Sequence, residues 1–289
     1  MTDEQRSLRD LSDSLIGIIA GRGDYPLILA REAVAAHQRG VIVFAFKGET
    51  KPEIRRYSNR VFWLRVGALQ SLLDTIEGSG VRAVVMAGQI TPRHVFSARP
   101  DAPMRNLLES LPVRNAETIF GAVVGEIEKR GVRVLPASTF MERHLAESGL
   151  LAGSEPTPQE WHDIRLGWRV ARALAKLDVG QAVAVKAGVV LAVEAFEGTD
   201  AMIRRAGRLA GRRGGGVVVK MAKQTHDIRF DIPVVGRRTL EILRKFRFSV
   251  LAVDAGRTIL LDKGRLTREA ADMGLKIVGL ETDSAGYEQ

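Results

Sequence analysis

"SLIGIIAGRGDYPLILAREAVAAHQRGVIVFAFKG" (residues 14–48) decides the fold. An apolar run ends at Gly21, a segment with helical spacing stops at Gly40, and a second β-rich run follows. Strand, helix and strand in that order, with both strands apolar throughout, predict parallel strands buried on both faces.

The same rhythm continues outward. "RVFWLRVG", "ALQSLLDTIEGSG" and "VRAVVMAG" read as strand, helix and strand, and "AETIFGAVVGEIEKRG" with "VRVLP" adds another helix and strand. Residues 14–148 are therefore expected to form an α/β domain on a parallel sheet, preceded by a polar leader at 1–13 that lacks the apolar core of a signal peptide. "GLLAGSEPTPQE" (149–160) combines prolines, glycines and small polar residues and reads as a linker. Residues 161–289 are read as a mixed α/β domain. It holds one long helix ("WHDIRLGWRVARALAKLDVG"), a β-hairpin or two adjacent strands ("QAVAVKAGVVLAVEAFEG") and a helix that Thr199 is expected to cap.

Composition narrows the function classes. The chain has 289 residues, 45% hydrophobic and 27% charged, which suits folded domains rather than disorder. No cysteine is present, so disulfides, thiolate metal sites and a thiol nucleophile are excluded, and a reducing cytoplasm fits. No apolar run reaches the ~20 residues of a membrane span. A net charge of +9 favours anionic partners.

The loop after the first strand carries Gly21, Gly23 and Asp24, where backbone amides can approach a phosphate; a tight turn is the structural alternative. Pro26 stands where a dinucleotide fingerprint needs its third glycine, which disfavours a nicotinamide cofactor. "VMAGQITPRH" (85–94) ends another strand with Gly88, Gln89 and Thr91, and ligands of open parallel sheets collect at that edge. In "LAVEAFEGTDAMIRRAG", Glu194 interrupts an apolar run and Glu197, Thr199 and Asp200 follow at a helix start.

The densest chemistry lies in "VVVKMAKQTHDIRFDIPVVG" (217–236). Lys220, Lys223 and Arg229 can offset phosphoryl charge, and Asp227 with Asp231 can hold a divalent cation. An exposed loop of ion pairs is the bland alternative, but Ile228, Phe230, Ile232 and Pro233 interleave with the charges and are expected to tie the segment to a core. No Walker A loop, G-x-S-x-G elbow or histidine pair at metal-ligand spacing occurs.

"AGRGDYP", "AGQITPR", "EAFEGTDAMIRRAG" and "KMAKQTHDIRFDIPVVG" together resemble the metal-dependent UDP-2,3-diacylglucosamine pyrophosphatases of lipid A biosynthesis, the type unrelated to calcineurin-like phosphoesterases. The resemblance runs from about residue 14 to residue 285. It implies a Rossmann-like amino-terminal domain, a family-specific carboxy-terminal domain, a substrate held between them and Mg²⁺- or Mn²⁺-assisted hydrolysis to UMP and lipid X. The family pattern K-x-x-K-P-x-Q-D-x-R-F-D is matched by Lys220, Lys223, Asp227, Arg229, Phe230 and Asp231, while Gln224 and His226 depart from it. By this resemblance Asp227 is the principal metal ligand, with Asp231 or Glu194 beside it, and the glycine loops take the nucleotide side. The expected partners are the substrate, its product and the cytoplasmic face of the inner membrane, without nucleic acid, and with a homodimer as the prior expectation. A non-catalytic binder of anionic lipid or nucleic acid is the alternative class, and a nucleotide-dependent oxidoreductase is the third.

Overall fold

The computed structural model describes residues 15–36, 40–90, 99–211, 213–223 and 227–281. The chain divides into two compact units. The first comprises Met1–Glu142 together with Asp227–Asp231, and the second comprises Arg143–His226 and Ile232–Gln289.

The first unit is built on five parallel strands: β1 (Ile16–Ala20), β2 (Val41–Phe46), β3 (Arg60–Leu64), β4 (Ala83–Ala87) and β5 (Arg133–Leu135), in the order β3-β2-β1-β4-β5. Strands β1, β2 and β4 are almost wholly buried because helices cover the sheet: α1 (Tyr25–Ala36), α2 (Leu69–Ser79), α3 (Ala102–Ser110) and α4 (Ala116–Lys129). Leu72, Leu73 and Ile76 of α2 pack with Val123, Val124 and Ile127 of α4 against Phe44, Val84 and Val134. Each such side chain contributes ~1.5–3 kcal/mol on burial. The α/β expectation holds, and the strand order reverses direction between β1 and β4, the place where open sheets bind ligands.

The second unit is a six-stranded mixed sheet in the order β6-β13-β11-β9-β7-β8. Its strands are β6 (Gly149–Ala152), β7 (Ala182–Lys186), β8 (Val189–Val193), β9 (Val217–Lys220), β11 (Val250–Asp254) and β13 (Lys276–Leu280); β10 (Val234–Val235) and β12 (Ile259–Leu260) form a separate small pair. Helix α5 (Pro158–Lys176) lies on one face, where Ile164 and Trp168 pack with Val217, Val219 and Val250, and Trp161 joins the same cluster. Gly167 permits this approach, since a Cβ there would lie 2.6 Å from Val219 Cγ2. Helices α6 (Thr199–Leu209), α7 (Arg237–Lys245) and α8 (Lys263–Asp272) supply Met202, Ile203, Leu240, Leu243 and Leu266 to the opposite cluster with Val218.

Two sequence expectations change. Residues 149–160, read as a linker, hold β6, which pairs antiparallel with β13, and the start of α5. Proline suits the first turn of α5, where Thr157 and Glu160 form a reciprocal capping box. Thr199 is not the cap of α6; Gly198 is, with a φ of 83°. The leader read at 1–13 lies outside the described residues.

Candidate active site

In the first unit the loops that follow β1 and β4 are knitted together. Gly21 N–H donates to Ala87 O at 2.7 Å, Arg22 N–H to Gln89 O at 2.6 Å, and Gln89 N–H to Arg22 O at 3.2 Å. A Cβ on Gly21 would stand 2.6 Å from Gln89 O, and one on Gly88 (φ 87°) 2.6 Å from Arg22 O. These two glycines are required by loop-to-loop packing. Among the described residues, no atom lies within 4 Å of the Cβ position of Gly23 (φ 104°), beside the start of α1. The exposed Asp24 pairs with Lys51. Thr91 lies outside the described residues.

Asp227–Asp231 returns to this unit from late in the chain. Its Ile228 carbonyl accepts from Ala137 N–H at 2.8 Å, and the Ala137 carbonyl accepts from the buried Tyr25 hydroxyl. Phe230 packs against Phe120, with ring centroids 6.0 Å apart, and joins the core cluster. Ile228 is exposed, so the anchoring expected of its side chain falls to Phe230 and the backbone instead.

Within that turn Arg229 and Asp227 form a closed pair. Arg229 Nε donates to both Asp227 oxygens at 2.8 and 3.0 Å, Nη2 to Oδ2 at 2.5 Å, and the Arg229 N–H to Oδ1 at 3.0 Å. Arg229 Nη1 reaches Glu128 at 2.8 and 2.9 Å. The guanidinium thus bridges two carboxylates, and its hydrogen bonds hold the Asp227 carboxyl below the usual carboxylate range despite partial burial. The Phe230 and Asp231 N–H groups both donate to the Asp227 carbonyl, at 3.2 and 3.1 Å, which sets the turn and places the Asp231 backbone.

In the second unit strand register builds another cluster. Lys220 of β9 is paired with Ala182 of β7, and Glu194 N–H donates to Ala182 O at 2.8 Å. Glu194 and Lys220 therefore flank the small Ala182 in one row across three strands, on the face covered by α6. Both are buried, at 6% and 7% exposure. Thr199 Oγ donates to Glu194 Oε1 at 2.9 Å, while Glu194 Oε2 is buried with no hydrogen-bond partner among the described residues. Lys220 Nζ donates to Val234 O at 3.0 Å. Burial pulls the Lys220 ammonium pKa down, and the charges of Glu194 and Asp200 oppose that pull. Asp200 accepts from Thr239 Oγ at 3.1 Å and forms an ion pair with Arg238, whose Nε lies 3.1 Å from Oδ2. Glu197 pairs with Arg205, which holds its carboxyl low, and Lys223 pairs with Asp178.

The predicted residues thus fall into two sets, each within one unit: Gly21, Gly23, Asp24, Gly88, Gln89, Asp227, Arg229 and Asp231, then Glu194, Glu197, Thr199, Asp200, Lys220 and Lys223. Sequence reasoning missed Glu128 and Asp254. Glu128 sits in the last turn of α4, where the helix dipole disfavours an acid, and that misplacement is a readable signal. Asp254 is fully buried at the end of β11 and accepts the Ala222 N–H at 3.2 Å, fixing the exit of β9.

Among the described residues no three His, Asp or Glu side chains converge as a self-sufficient metal cage. Mg²⁺ needs none: one or two carboxylates suffice when substrate phosphates and water complete an oxygen octahedron. The part-exposed Asp227 carboxylate supplies suitable hard oxygen donors, so the residues present fit such an ion.

Residues 15–144 match the LpxI N-terminal domain and residues 147–278 the LpxI C-terminal domain. This chain belongs to the LpxI family. It is 31% identical over 275 residues to the UDP-2,3-diacylglucosamine pyrophosphatase LpxI of Caulobacter vibrioides, a match that covers 92% of this chain and 97% of that one. Among solved structures it is similar to Rhizobium etli pyruvate carboxylase (14% identity, TM-score 0.27, 60% of this chain and 13% of that one). It is also similar to the biotin carboxylase domain of Hydrogenobacter thermophilus 2-oxoglutarate carboxylase (11%, TM-score 0.27, 68% and 41%). Likeness that slight bears on neither site nor activity. The LpxI assignment rests on the two domain matches, which bracket every site residue predicted from sequence.

Proposed function

We propose that this chain hydrolyses the diphosphate of UDP-2,3-diacylglucosamine, releasing UMP and 2,3-diacylglucosamine 1-phosphate (lipid X). The observation that carries this reading is the near full-length match to a relative bearing that activity in its name. The side-chain chemistry suits it. Diphosphate cleavage demands charge neutralisation and an oriented water more than covalent work by the protein.

In this reading Asp227 is the carboxylate that takes Mg²⁺ or Mn²⁺, with Asp231 adjoining it. A divalent cation held there would neutralise diphosphate oxygens and lower the pKa of its bound water. Arg229 orients Asp227 through its fork of hydrogen bonds, and a direct contact with phosphoryl oxygens would require it to release one carboxylate. In the second unit, Lys220 and Lys223 are read as cations for phosphoryl oxygens, and Glu194 as a carboxylate with one oxygen that no described residue occupies. The loop at Gly23 and the start of α1 offer backbone N–H groups to the nucleotide phosphates.

The substrate named for the relative carries two acyl chains, so we place the reaction at the cytoplasmic membrane surface, reached peripherally. No helix among the described residues is long and apolar enough to cross a bilayer. The test is incubation of the purified protein with UDP-2,3-diacylglucosamine and Mg²⁺, with products identified by mass spectrometry. Release of UMP with lipid X supports the reading; intact substrate, or UDP with a free sugar lipid, rejects it.

A further inference from the structure

The Arg229 bridge raises a question the proposed reaction leaves open: why is a candidate cation ligand occupied by a guanidinium, and why is that guanidinium also tied to Glu128? We propose that Arg229 is the resident counterion of Asp227 and that Glu128 is a positioning residue, retaining the guanidinium when Asp227 takes a divalent cation. This rests on the reading of Asp227 as the cation ligand.

Three observations carry it. Arg229 meets Asp227 through Nε and Nη2 but meets Glu128 through Nη1, so the two carboxylates use different edges of one planar group. The Asp227 edge can open while the Glu128 edge stays closed. Glu128 occupies the last turn of α4, where an acid is electrostatically unfavourable unless a cation offsets it, and Arg229 provides that offset. Finally, the turn is fixed independently of the bridge, by Ala137 N–H on Ile228 O and by Phe230 on Phe120. Loss of the guanidinium therefore need not release Asp227 from its place.

The consequence is a competition with a definite sign. Removing Arg229 frees Asp227 and tightens cation binding. Removing the Glu128 charge leaves Asp227 as the only anion on Arg229 among the described residues, strengthens that pair and weakens cation binding. A purely structural bridge would weaken binding in both cases.

The experiment is direct Mn²⁺ binding, followed by the loss of free-ion electron paramagnetic resonance signal, in wild type, Asp227→Asn, Arg229→Met and Glu128→Gln. Circular dichroism confirms folding of each, and Arg229→Gln serves if Arg229→Met does not fold. Arg229→Met should lower the Mn²⁺ dissociation constant on the order of tenfold and Glu128→Gln should raise it several-fold, the scale of one charge-assisted hydrogen bond. Weakening in both variants, or no change in either, overturns the inference while Asp227 stands as ligand. Equal binding by wild type and Asp227→Asn overturns the ligand reading, and the inference with it.

Discussion

Thr199 donates its hydroxyl to Glu194 Oε1 at 2.9 Å, and the second oxygen of that buried carboxylate has no hydrogen-bond partner among the described residues. A buried polar oxygen left so costs stability, and such costs concentrate where a group works. Glu194→Gln removes a charge that offsets the buried Lys220 ammonium, so it should lower thermal stability as well as lowering turnover by roughly a hundredfold, the loss of one catalytic charge. Thermal melts and steady-state UMP release check both halves. Retained turnover with lost stability would make Glu194 a structural residue.

Thr199→Val tests the same contact from the other side. The side chains are near isosteric, and only the hydrogen bond to Glu194 is lost. Turnover should fall about tenfold, with a stability change of ~1 kcal/mol. Unchanged turnover would show that the orientation of Glu194 does not matter to the reaction.

Asp227 predicts a pH-dependent stability. Arg229 lowers its folded pKa, so the carboxylate stabilises the fold above its unfolded value of ~3.9 and that contribution disappears as pH falls through the lower folded value. Asp227→Asn should be less stable than wild type by about 1 kcal/mol near neutrality, after allowance for solvent screening. Denaturant unfolding should show the two converging below about pH 4. A difference that persists unchanged into acid would mean that the charge is not its source.

The glycine loops should respond unequally. Gly88→Ala places a methyl group 2.6 Å from Arg22 O at a φ of 87° and should cost ~2–3 kcal/mol. Gly23→Ala meets no neighbour among the described residues and should cost only the ~1–2 kcal/mol of its left-handed backbone. Nucleotide affinity should move more with Gly23 than stability does. The reverse ranking in thermal melts would show that the loop contact is not what demands glycine at position 88.

How much of this was legible follows from what periodicity encodes. The apolar strands and amphipathic helices of the first unit announce themselves because burial on both faces leaves an unbroken hydrophobic run, as in Val41–Phe46. The hairpin of β7 and β8 was readable too, from two β-rich runs around Ala187 and Gly188. The linker reading of 149–160 failed because proline and small polar residues equally suit a capped helix start, here with Thr157 and Glu160. The charged motif after β9 was visible, but its division was not: Lys220 and Lys223 belong to one unit and Asp227–Asp231 to the other. Contacts of that kind, like Glu128 with Arg229 at a separation of 101 residues, follow from tertiary pairing and leave no local trace.

One measurement bears most directly on the central claim that Asp227 supports diphosphate hydrolysis with a divalent cation: UMP release from UDP-2,3-diacylglucosamine by wild type and Asp227→Asn, each stripped with chelator and then titrated with Mg²⁺. Wild type should lose activity on chelation and regain it with Mg²⁺, while the folded variant should remain at least about a thousandfold slower at every concentration. Wild-type turnover indifferent to chelation, or near-normal turnover by the variant, would contradict the account.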